Sequence, residues 1–441
     1  MSGKLLFKSG LIAIAMGTML ISNFDVQAKE NMRSAKEVVK EMGVGWNLGN
    51  TLDSFVDQNQ WFNVNDPKAW ETCWGNPVTT KAMIDKVKEA GFTTLRVPVT
   101  WGYHLGAAPL YTVDPAWMAR VKEVVQYGID DGMYVILNTH HEDEWCIPTK
   151  AKEASYTKQL SSLWTQIANE FKEYDDHLIF EVQNEPRNVG TAEEWIGGTS
   201  EGREVVNNFN EAGLSAIRST GGNNSTRAVM MPTYGASGLE NAINDFRVPE
   251  DKNVIVSLHA YTPYLFAMTQ SGTKEWGTDA ERENLKSELQ RYHDFFEAKG
   301  IPVVMGEYGT IHKDNLNARI DHVKTYVETC TKLGMPCVWW DNNYVESGMD
   351  NTYGLLNRNS LSWTFPEIKD AIVNTYNENK ISDNNYDVND DGVIDLSDYT
   401  LLRKYINSEN SSSIKINEGA ADINKDGKID FFDLVALKSL I

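Results

Sequence analysis

Two glutamates, each at the end of an apolar run, are the first candidates for chemistry in this sequence. Glu185 lies in "IFEVQNEPR" and Glu307 lies in "VVMGEYGT". A carboxylate at the end of a buried strand is costly to desolvate unless a partner neutralises it or a reaction uses it. Two facing carboxylates are the pair that glycoside hydrolysis requires, because one protonates the leaving oxygen while the other attacks the anomeric carbon or activates water.

Other polar and aromatic residues end the remaining apolar runs and would surround this pair. The two carboxylates need different pKa values for their two roles. We expect Arg96 and a hydrogen bond from Tyr261 to favour the ionised form of one carboxylate. The other, partly desolvated and close to that negative charge, is expected to hold its proton near neutral pH. The full set of surrounding candidates is Arg96, His140, His141, Asn184, His259, Tyr261 and Trp340.

Each candidate also has a structural interpretation. Glu185 could pair with the arginine two residues further on, Arg96 could cap a sheet edge, and Trp340 could belong to the packing of the fold. His140 and His141 could be bonded to the backbone or could bind zinc, but no third ligand follows them at a convincing spacing. A structural role for all of them at once, in this order along the chain, is implausible.

These residues need a scaffold that brings many strand ends to one face. Eight short apolar runs predict strands at residues 43–47, 94–98, 134–139, 178–183, 228–232, 254–259, 302–306 and 337–341. Segments with helical periodicity alternate with them, at residues 79–90, 116–131, 156–173, 204–219, 279–299 and 315–333. This alternation predicts an α/β fold, a (β/α)8 TIM barrel with its functional residues at the carboxyl ends of the strands. A doubly wound dinucleotide-binding sheet would need a Gly-rich phosphate loop, and Gly43-Val44-Gly45 lacks the third glycine.

A repeat of a different kind occupies the C-terminus. "DVNDDGVIDLSD" begins at Asp387 and "DINKDGKIDFFD" begins at Asp422, and a helical run follows each of them. Oxygen-bearing residues alternate as in an EF-hand loop, with glycine at position 6 and a backbone carbonyl at position 7. Two complete matches predict two sites for a hard divalent cation. The predicted ligands are Asp387, Asn389, Asp391, Val393, Asp395 and Asp398 in the first loop, and Asp422, Asn424, Asp426, Lys428, Asp430 and Asp433 in the second.

Composition and the first residues limit the partners and the location. The 441-residue chain has a formal net charge of −21, which argues against nucleic acid and anionic membranes as partners. Lys4 and Lys8 precede an apolar stretch that is too short for a comfortable membrane span, and Ala28 ends an A-x-A-like cleavage pattern. We therefore expect a secreted protein with a signal peptide (1–28), a monomeric barrel (29–376), a polar linker (377–385) and the repeat (386–441).

Cysteines and tryptophans add two further expectations. The four cysteines match neither a zinc site nor a small disulfide framework. Cys330 and Cys337 are expected in the core, and whether Cys73 and Cys146 are paired stays open. Tryptophans in the predicted βα loops could stack on sugar rings, and we expect two or three of them to line the cleft. These are Trp61, Trp74, Trp145, Trp195 and Trp276.

Six motifs, taken together, resemble those of glycoside hydrolase family 5, within the clan of retaining (β/α)8 glycosidases. They are "LRVPVTW", "ILNTHHE", "FEVQNEPR", "VSLHAYTPY", "VVMGEYGT" and "CVWWDNN", and the likeness extends over residues 42–376. The resemblance implies that Glu185 is the acid/base and Glu307 the nucleophile. It also implies that Asn184 forms a hydrogen bond with the 2-hydroxyl of the −1 sugar. Arg96 and Tyr261 would position and ionise the nucleophile. His140, His259 and His141 would complete the −1 pocket, and Trp340 would stack on the −1 sugar.

On this resemblance, the expected function is a secreted endo-β-1,4-glucanase, a cellulase that cuts internal bonds of cellulose. The implied mechanism retains the anomeric configuration through a covalent glycosyl-enzyme and needs no cofactor. The stretch "GVGWNLGNTLDS" favours a glucanase. The alternatives are the same mechanism on xyloglucan, mixed-linkage glucan, xylan or mannan, and a barrel that has lost activity and only binds sugar.

Residues 386–441 resemble a dockerin, close to type I. Aspartate at position 12 of each loop and the missing entering helix carry this resemblance. It implies two calcium ions, folding that depends on them, and a cohesin module of a cellulosome scaffold protein as partner. Leu396-Ser397 and Phe431-Phe432 occupy positions that help to choose the cohesin, and because the pairs differ the cohesin type stays open. The alternative is a calcium sensor that regulates the enzyme.

Overall fold

The computed structural model describes residues 32–56, 63–380, 386–391, 393–408, 411–424, 426–438 and 440–441. The predicted signal peptide, Trp61 and most of the predicted linker lie outside this part of the chain. Within it, no helix combines the length and the apolar composition needed to cross a membrane.

Eight parallel strands close into a barrel in their sequence order, which confirms the predicted (β/α)8 fold. Nearly every strand residue is buried, as expected for a parallel sheet covered by helices. The strands are β1 (Val44–Leu48), β2 (Thr94–Val97), β3 (Tyr134–Asn138), β4 (Leu178–Glu181), β5 (Val229–Ser237), β6 (Val254–His259), β7 (Val303–Tyr308) and β8 (Cys337–Asp341), with a separate hairpin of β9 (Leu356–Asn357) and β10 (Ser362–Trp363).

The helices that cover the barrel begin at recognisable caps. Thr278 and Glu281 form a capping box at one of them, and Asp114 caps another whose first residue is Pro115. The helices along the barrel chain are α1 (Ala35–Met42), α2 (Pro67–Thr72), α3 (Lys81–Glu89), α4 (Pro115–Asp130), α5 (Lys150–Glu170), α6 (Ser200–Ser219), α7 (Glu240–Asn244), α8 (Tyr264–Ala267), α9 (Asp279–Glu297), α10 (Leu316–Lys332) and α11 (Pro366–Asn379).

Helix α1 closes the end of the barrel at which the strands begin. Its buried face joins the side chains that point into the barrel interior, while alternate strand residues pack outward against the other helices. The opposite end, where the strands finish, is therefore the one that remains for a site. The inner cluster consists of Ala35, Val38, Val39, Met42, Tyr134, Ile136, Ile179, Ala228, Met230, Ile255, Val304 and Val338.

Two elements differ most from their predicted bounds. The sequence predicts a strand that stops at Pro232, whereas β5 continues to Ser237. Gly235 and Ala236 have positive φ angles of 60° and 48°, and the register with β6 shifts there, so a bulge carries the strand past the proline. Helix α5 begins at Lys150 rather than at residue 156, because its first turns are polar helix formers without an apolar stripe.

The C-terminal repeat has a small core of its own. Helices α12 (Leu396–Ile406), α13 (Glu418–Ala421) and α14 (Phe431–Lys438) follow the barrel sequence, and they bury Val388, Leu402, Ala421, Ile423, Leu434 and Leu437. Helix α11 reaches Asn379 and so extends into the segment that the sequence assigns to the linker. All four cysteines are free, Cys330 and Cys337 are buried as expected, and Cys73 and Cys146 are not joined.

Candidate active site

The two predicted carboxylates meet at the carboxyl end of the barrel. Glu185 follows β4, and Glu307 lies in β7 beside His259, its register partner at the end of β6. One ligand atom from each of Glu185, His259 and Glu307 lies within 4.8 Å of the other two. Retaining glycosidases hold their carboxyl groups about 5 Å apart, whereas inverting ones leave a wider gap for a water molecule. The spacing therefore fits a direct attack by one carboxylate.

Both oxygens of Glu307 accept a hydrogen bond from a buried donor. Arg96 Nη1 lies 2.7 Å from Oε1, and Tyr261 Oη lies 2.9 Å from Oε2. The Glu307 side chain is 7% exposed, so little water competes with these donors. The two contacts fix the carboxylate in one orientation, which is what a nucleophile needs.

Arg96 connects Glu307 to three other residues near the carboxyl ends of the strands. Its side chain is completely buried. Nε donates to Glu181 Oε2 at 2.8 Å, Nη1 donates to Asn47 Oδ1 at 3.0 Å, and Nη2 donates to Asn184 Oδ1 at 2.7 Å. Because its oxygen already accepts a hydrogen bond from Arg96, the Asn184 amide is oriented with its N–H groups available to donate to a sugar hydroxyl.

Glu181 is the main residue of this network that the sequence reasoning missed. Its Oε2 also accepts a hydrogen bond from Asn138 Nδ2 at 3.0 Å, and its Oε1 accepts one from Ser257 Oγ at 2.6 Å. The signal was available, because a charged residue inside the apolar run that forms β4 must find a buried partner. Asn47, Asn138 and Ser257 carry no such signal, since polar residues in strands are common.

Glu185 contacts an imidazole, and this changes its expected ionisation. His259 Nδ1 lies 2.8 Å from Glu185 Oε1. Burial raises the pKa of Glu185, but the hydrogen bond and charge of His259, together with Arg187, outweigh burial and hold that pKa below its ordinary value. Burial lowers the pKa of His259, but the charge of Glu307 and the bond to Glu185 raise it above its ordinary value. The direction of the Glu185 pKa is therefore opposite to the one expected from the sequence, and the His259 imidazole binds a proton more tightly than the Glu185 carboxylate does.

Arg187 is shared among several acidic groups. Its Nη1 is 4.0 Å from Glu185 Oε2, whereas Nε donates to Glu194 at 3.0 Å and the guanidinium lies 3.4 Å from Asp143. Nη1 also donates to the carbonyl oxygen of Glu185 at 3.0 Å. A simple ion pair between Glu185 and Arg187, the structural alternative, does not describe this arrangement. Arg187 instead fixes the backbone that carries Glu185.

Trp340 and His140 form parallel flat surfaces beside the carboxylates. Their ring centroids are 5.7 Å apart with an interplanar angle of 5°, and the ring of His141 meets that of His140 edge-on at 4.5 Å. Burial lowers the pKa of His140 well below its ordinary value and lowers the pKa of His141 to about 4. Both imidazoles are therefore neutral and suited to hydrogen bonds with hydroxyl groups.

Asp53 is an acidic neighbour of His140 and His141 that the spacing of residues along the sequence did not reveal. A ligand atom of each of Asp53, His140 and His141 lies within 4.8 Å of the others. The Asp53 carboxylate already accepts hydrogen bonds from the backbone N–H groups of Thr51 (2.6 Å) and Asn50 (3.0 Å). These hydrogen bonds order the loop after β1. The Asp53 carboxylate also lies 4.0 Å from His141 Nε2, which is a longer contact than those with the backbone.

The loop tryptophans fall into two groups. Trp74 extends the aromatic surface, since its ring lies 5.7 Å from that of His141 and 5.2 Å from that of Phe55, and Trp195 is exposed on the loop after β4. Trp145 donates to a buried glutamate, and Trp276 packs against Phe266 and His322. The last two therefore serve the framework.

In the C-terminal repeat, the aspartate at position 12 closes each loop. Asp398 Oδ1 accepts hydrogen bonds from the N–H groups of Val388 and Asn389, and its Oδ2 accepts one from Asp395. Asp433 makes the same three contacts with Ile423, Asn424 and Asp430. Both carboxylates are fully buried, and position 12 is the place from which an EF-hand loop supplies its last carboxylate ligand to the cation.

The donor sets of the two loops fit calcium. Backbone N–H groups at position 5 bond to the side-chain oxygens of positions 1 and 3 in both loops, which curls each loop into the turn that an EF-hand needs. Within the described residues, the carboxylates alone do not form a tight cluster of three in either loop. The remaining ligands of such a loop are amide and carbonyl oxygens, here Asn389 and Val393, and Asn424 and Lys428.

Comparison with known proteins agrees with this geometry. Residues 56–346 match the family described as "Cellulase (glycosyl hydrolase family 5)", and residues 385–441 match the "Dockerin type I domain". An "Endoglucanase A" of Clostridium longisporum is 57% identical over 354 residues, which are 80% of this chain and 68% of that protein. An "Endoglucanase B" of Clostridium cellulovorans is 45% identical over 392 residues, 87% of this chain and 86% of that one.

A solved structure gives the same result in three dimensions. A "GH5-4 broad specificity endoglucanase" from Clostridium longisporum superposes with a TM-score of 0.77 at 56% identity, over 79% of this chain and 99% of that chain. The family match covers more than half of the present chain and includes β2 to β8 of the barrel, and the second match covers the C-terminal repeat. This chain belongs to glycosyl hydrolase family 5 and carries a C-terminal type I dockerin domain.

Proposed function

We propose that this protein is a secreted endo-β-1,4-glucanase that cleaves internal bonds of cellulose with retention of configuration. The observation that carries the proposal is the close approach of Glu185 and Glu307, within 4.8 Å through their ligand atoms. Their environments differ, because Glu307 is held by an arginine and a tyrosine while Glu185 contacts a histidine whose pKa is raised. This difference supports the role of nucleophile for Glu307 and of acid/base for Glu185.

In the first step, a Glu307 oxygen bonds to the anomeric carbon while the glycosidic C–O bond breaks. The leaving oxygen takes a proton from Glu185, which receives it from His259 Nδ1 across their 2.8 Å hydrogen bond. In the second step, Glu185 accepts a proton from water, the water oxygen bonds to the anomeric carbon, and the bond to Glu307 breaks. Each step leaves the net charge of the buried site unchanged.

The surrounding residues would bind and orient the sugar. Asn184 is suited to hold the 2-hydroxyl, since the hydrogen bond from Arg96 orients its amide and leaves the N–H groups available as donors, and Trp340 is suited to stack on the ring at −1. The neutral imidazoles of His140 and His141 would bond to hydroxyl groups. The names of the relatives, endoglucanases A and B, support a glucan substrate, and the "broad specificity" of the structural relative supports xyloglucan or mixed-linkage glucan as further substrates.

The dockerin supports attachment of the enzyme to a cellulosome outside the cell. We propose that it binds two calcium ions, one in each loop, and docks onto a cohesin module of a scaffold protein. Because the two loops make the same contacts to Asp398 and to Asp433, one ion for each loop is the expected number. Residues 1–28 would direct export, residues 29–376 would form the catalytic domain and residues 386–441 the dockerin.

The decisive experiment compares the wild type with Glu185→Ala and Glu307→Ala on two substrates. On soluble β-glucan, both variants should lose at least about 10³-fold in kcat. On dinitrophenyl β-cellobioside, whose leaving group needs no proton, Glu185→Ala should still release a burst of dinitrophenol, whereas Glu307→Ala should release none. Near-normal hydrolysis of β-glucan by either variant would refute the proposed mechanism. Proton NMR of the first product tests retention separately.

A further inference from the structure

The loop that joins β4 to α6 presents an indole to solvent. Trp195 is 58% exposed, and every other tryptophan that the structure describes is buried or half-buried. Two more exposed apolar side chains, Val189 and Ile196, lie on the same loop. Exposed apolar surface concentrated on one loop next to a catalytic site is typical of a binding surface.

One face of this indole packs against a guanidinium group that several hydrogen bonds hold in place. The Arg187 guanidinium carbon lies 4.5 Å from the Trp195 ring centroid, a cation–π distance. Arg187 is itself held by Glu194, by Asp143 and by the carbonyl oxygen of Glu185. The indole is thus a preorganised flat surface, and little conformational entropy is lost when a ligand stacks on it.

The position of this surface relative to the acid/base identifies the part of the substrate that it would meet. Arg187 connects the two, since its Nη1 is 4.0 Å from Glu185 Oε2 while its other side packs on Trp195. Glu185 must reach the glycosidic oxygen, whose far substituent is the leaving sugar. The other aromatic surface lies on β8, after β3 and in the segment after β1. It runs from Trp340 through His140 and His141 to Trp74.

We propose that Trp195, backed by Arg187, is a stacking platform for a glucosyl unit on the leaving-group side of the cleavage point. This inference rests on the proposed function, because it takes Glu185 as the acid/base. The ligand is the aglycone portion of a β-1,4-linked glucan, whose axial C–H groups form an apolar face that matches an indole. Trp195 is then a determinant of chain-length preference, and the bond-breaking chemistry does not require it.

The test compares two substrates that differ only beyond the cleavage point. β-Cellobiosyl fluoride has a leaving group with no sugar, whereas cellopentaose can fill sites on both sides. Trp195→Ala should lower kcat/KM on cellopentaose about tenfold, the effect of one lost stacking contact, and should change kcat/KM on the fluoride by less than about twofold. Trp195→Phe should recover most of the loss because it keeps an aromatic face. With cellopentaose labelled with ¹⁸O at its reducing end, Trp195→Ala should shift cleavage toward the reducing end.

The matched control is Ile196→Ala, a similarly exposed apolar neighbour without an aromatic ring, and it should leave both substrates unaffected. Equal losses on the two substrates would overturn the proposal, because a platform on the leaving-group side cannot affect a substrate that has no sugar there. An unchanged cleavage pattern on the labelled cellopentaose would also overturn it, because it would mean that Trp195 acts on Glu185 through Arg187. Unchanged hydrolysis of cellopentaose by Trp195→Ala would overturn it as well. If the proposed function itself were wrong, the outcome would be distinguishable. Either the wild type would not cleave cellopentaose, or Glu185→Ala would remain active.

Discussion

Arg96 and Glu181 form an ion pair in which neither side chain is exposed, with Nε 2.8 Å from Oε2. Arg96 also donates to Glu307, the proposed nucleophile, so a single buried guanidinium serves two carboxylates. Without Glu181, the buried guanidinium of Arg96 would be paired with the carboxylate of Glu307 alone, in a site that must also admit a sugar. The pair therefore lets Arg96 remain in place whatever happens to the charge on Glu307 during the reaction.

Glu181→Gln should destabilise the barrel by about 3 kcal/mol, because it removes one partner of a buried charge. It should also lower kcat on β-glucan, since Arg96 is then held less firmly against the nucleophile. Urea unfolding followed by tryptophan fluorescence measures the first effect. Glu170→Gln, which breaks an exposed pair with Lys122, is the control and should cost less than about 1 kcal/mol. Equal stability of the two variants would contradict this account.

The barrel could be predicted from the sequence because its strands are short, apolar and separated by clear helical periods. The bounds predicted for β6 and β8 agree with the structure, and the carboxyl-end rule brought Glu185, Glu307, Arg96 and Tyr261 to one face. The hydrogen-bond network could not be predicted in the same way. Glu181 and Arg96 are 85 residues apart, and no local pattern specifies which buried carboxylate meets which arginine.

The ionisation of Glu185 shows a second limit of sequence reasoning. Burial and a nearby negative charge both predict a protonated Glu185, and those effects are real. The pKa of Glu185 is instead lowered, because the hydrogen bond and charge of His259, which the sequence reasoning did not include, outweigh burial. A side-chain contact of 2.8 Å is decided by local geometry, which strand patterns do not contain.

His259→Gln should move the alkaline limb of the pH profile of kcat/KM to lower pH. In the wild type the proton needed by the acid is held by His259, whose pKa is raised, so it is lost only as the pH rises through that value. In the variant the proton must be held by the Glu185 carboxyl group alone, which is the stronger acid. Initial rates on soluble β-glucan between pH 4 and pH 9 measure the shift. An unmoved alkaline limb would show that another group holds the proton.

Gly49→Ala should impair substrate binding through Trp340. A β-carbon at Gly49 would lie 2.7 Å from Trp340 Cζ2 and 2.9 Å from the Asp341 carbonyl oxygen, so the indole would have to move. We expect kcat/KM on β-glucan to fall about tenfold, with a loss of about 2 kcal/mol in the free energy of unfolding. Gly106→Ala is the control, since its nearest neighbour is at 3.4 Å. Equal activity of the two variants would mean that Trp340 does not contact the sugar.

Removal of calcium should unfold the dockerin without changing turnover on soluble substrate. The buried carboxylates of Asp398 and Asp433 repel other acidic ligands of their loops unless a cation binds, so the metal stabilises only the folded form. Calorimetric titration should count two calcium ions per wild-type chain and one for each of Asp398→Asn and Asp433→Asn. Asp294→Asn, on the exposed face of α9, is the control and should still bind two. With excess EDTA, cohesin binding should vanish while hydrolysis of soluble β-glucan continues at the same rate. A fall in that rate would contradict attachment as the sole role of the dockerin and would favour a calcium sensor.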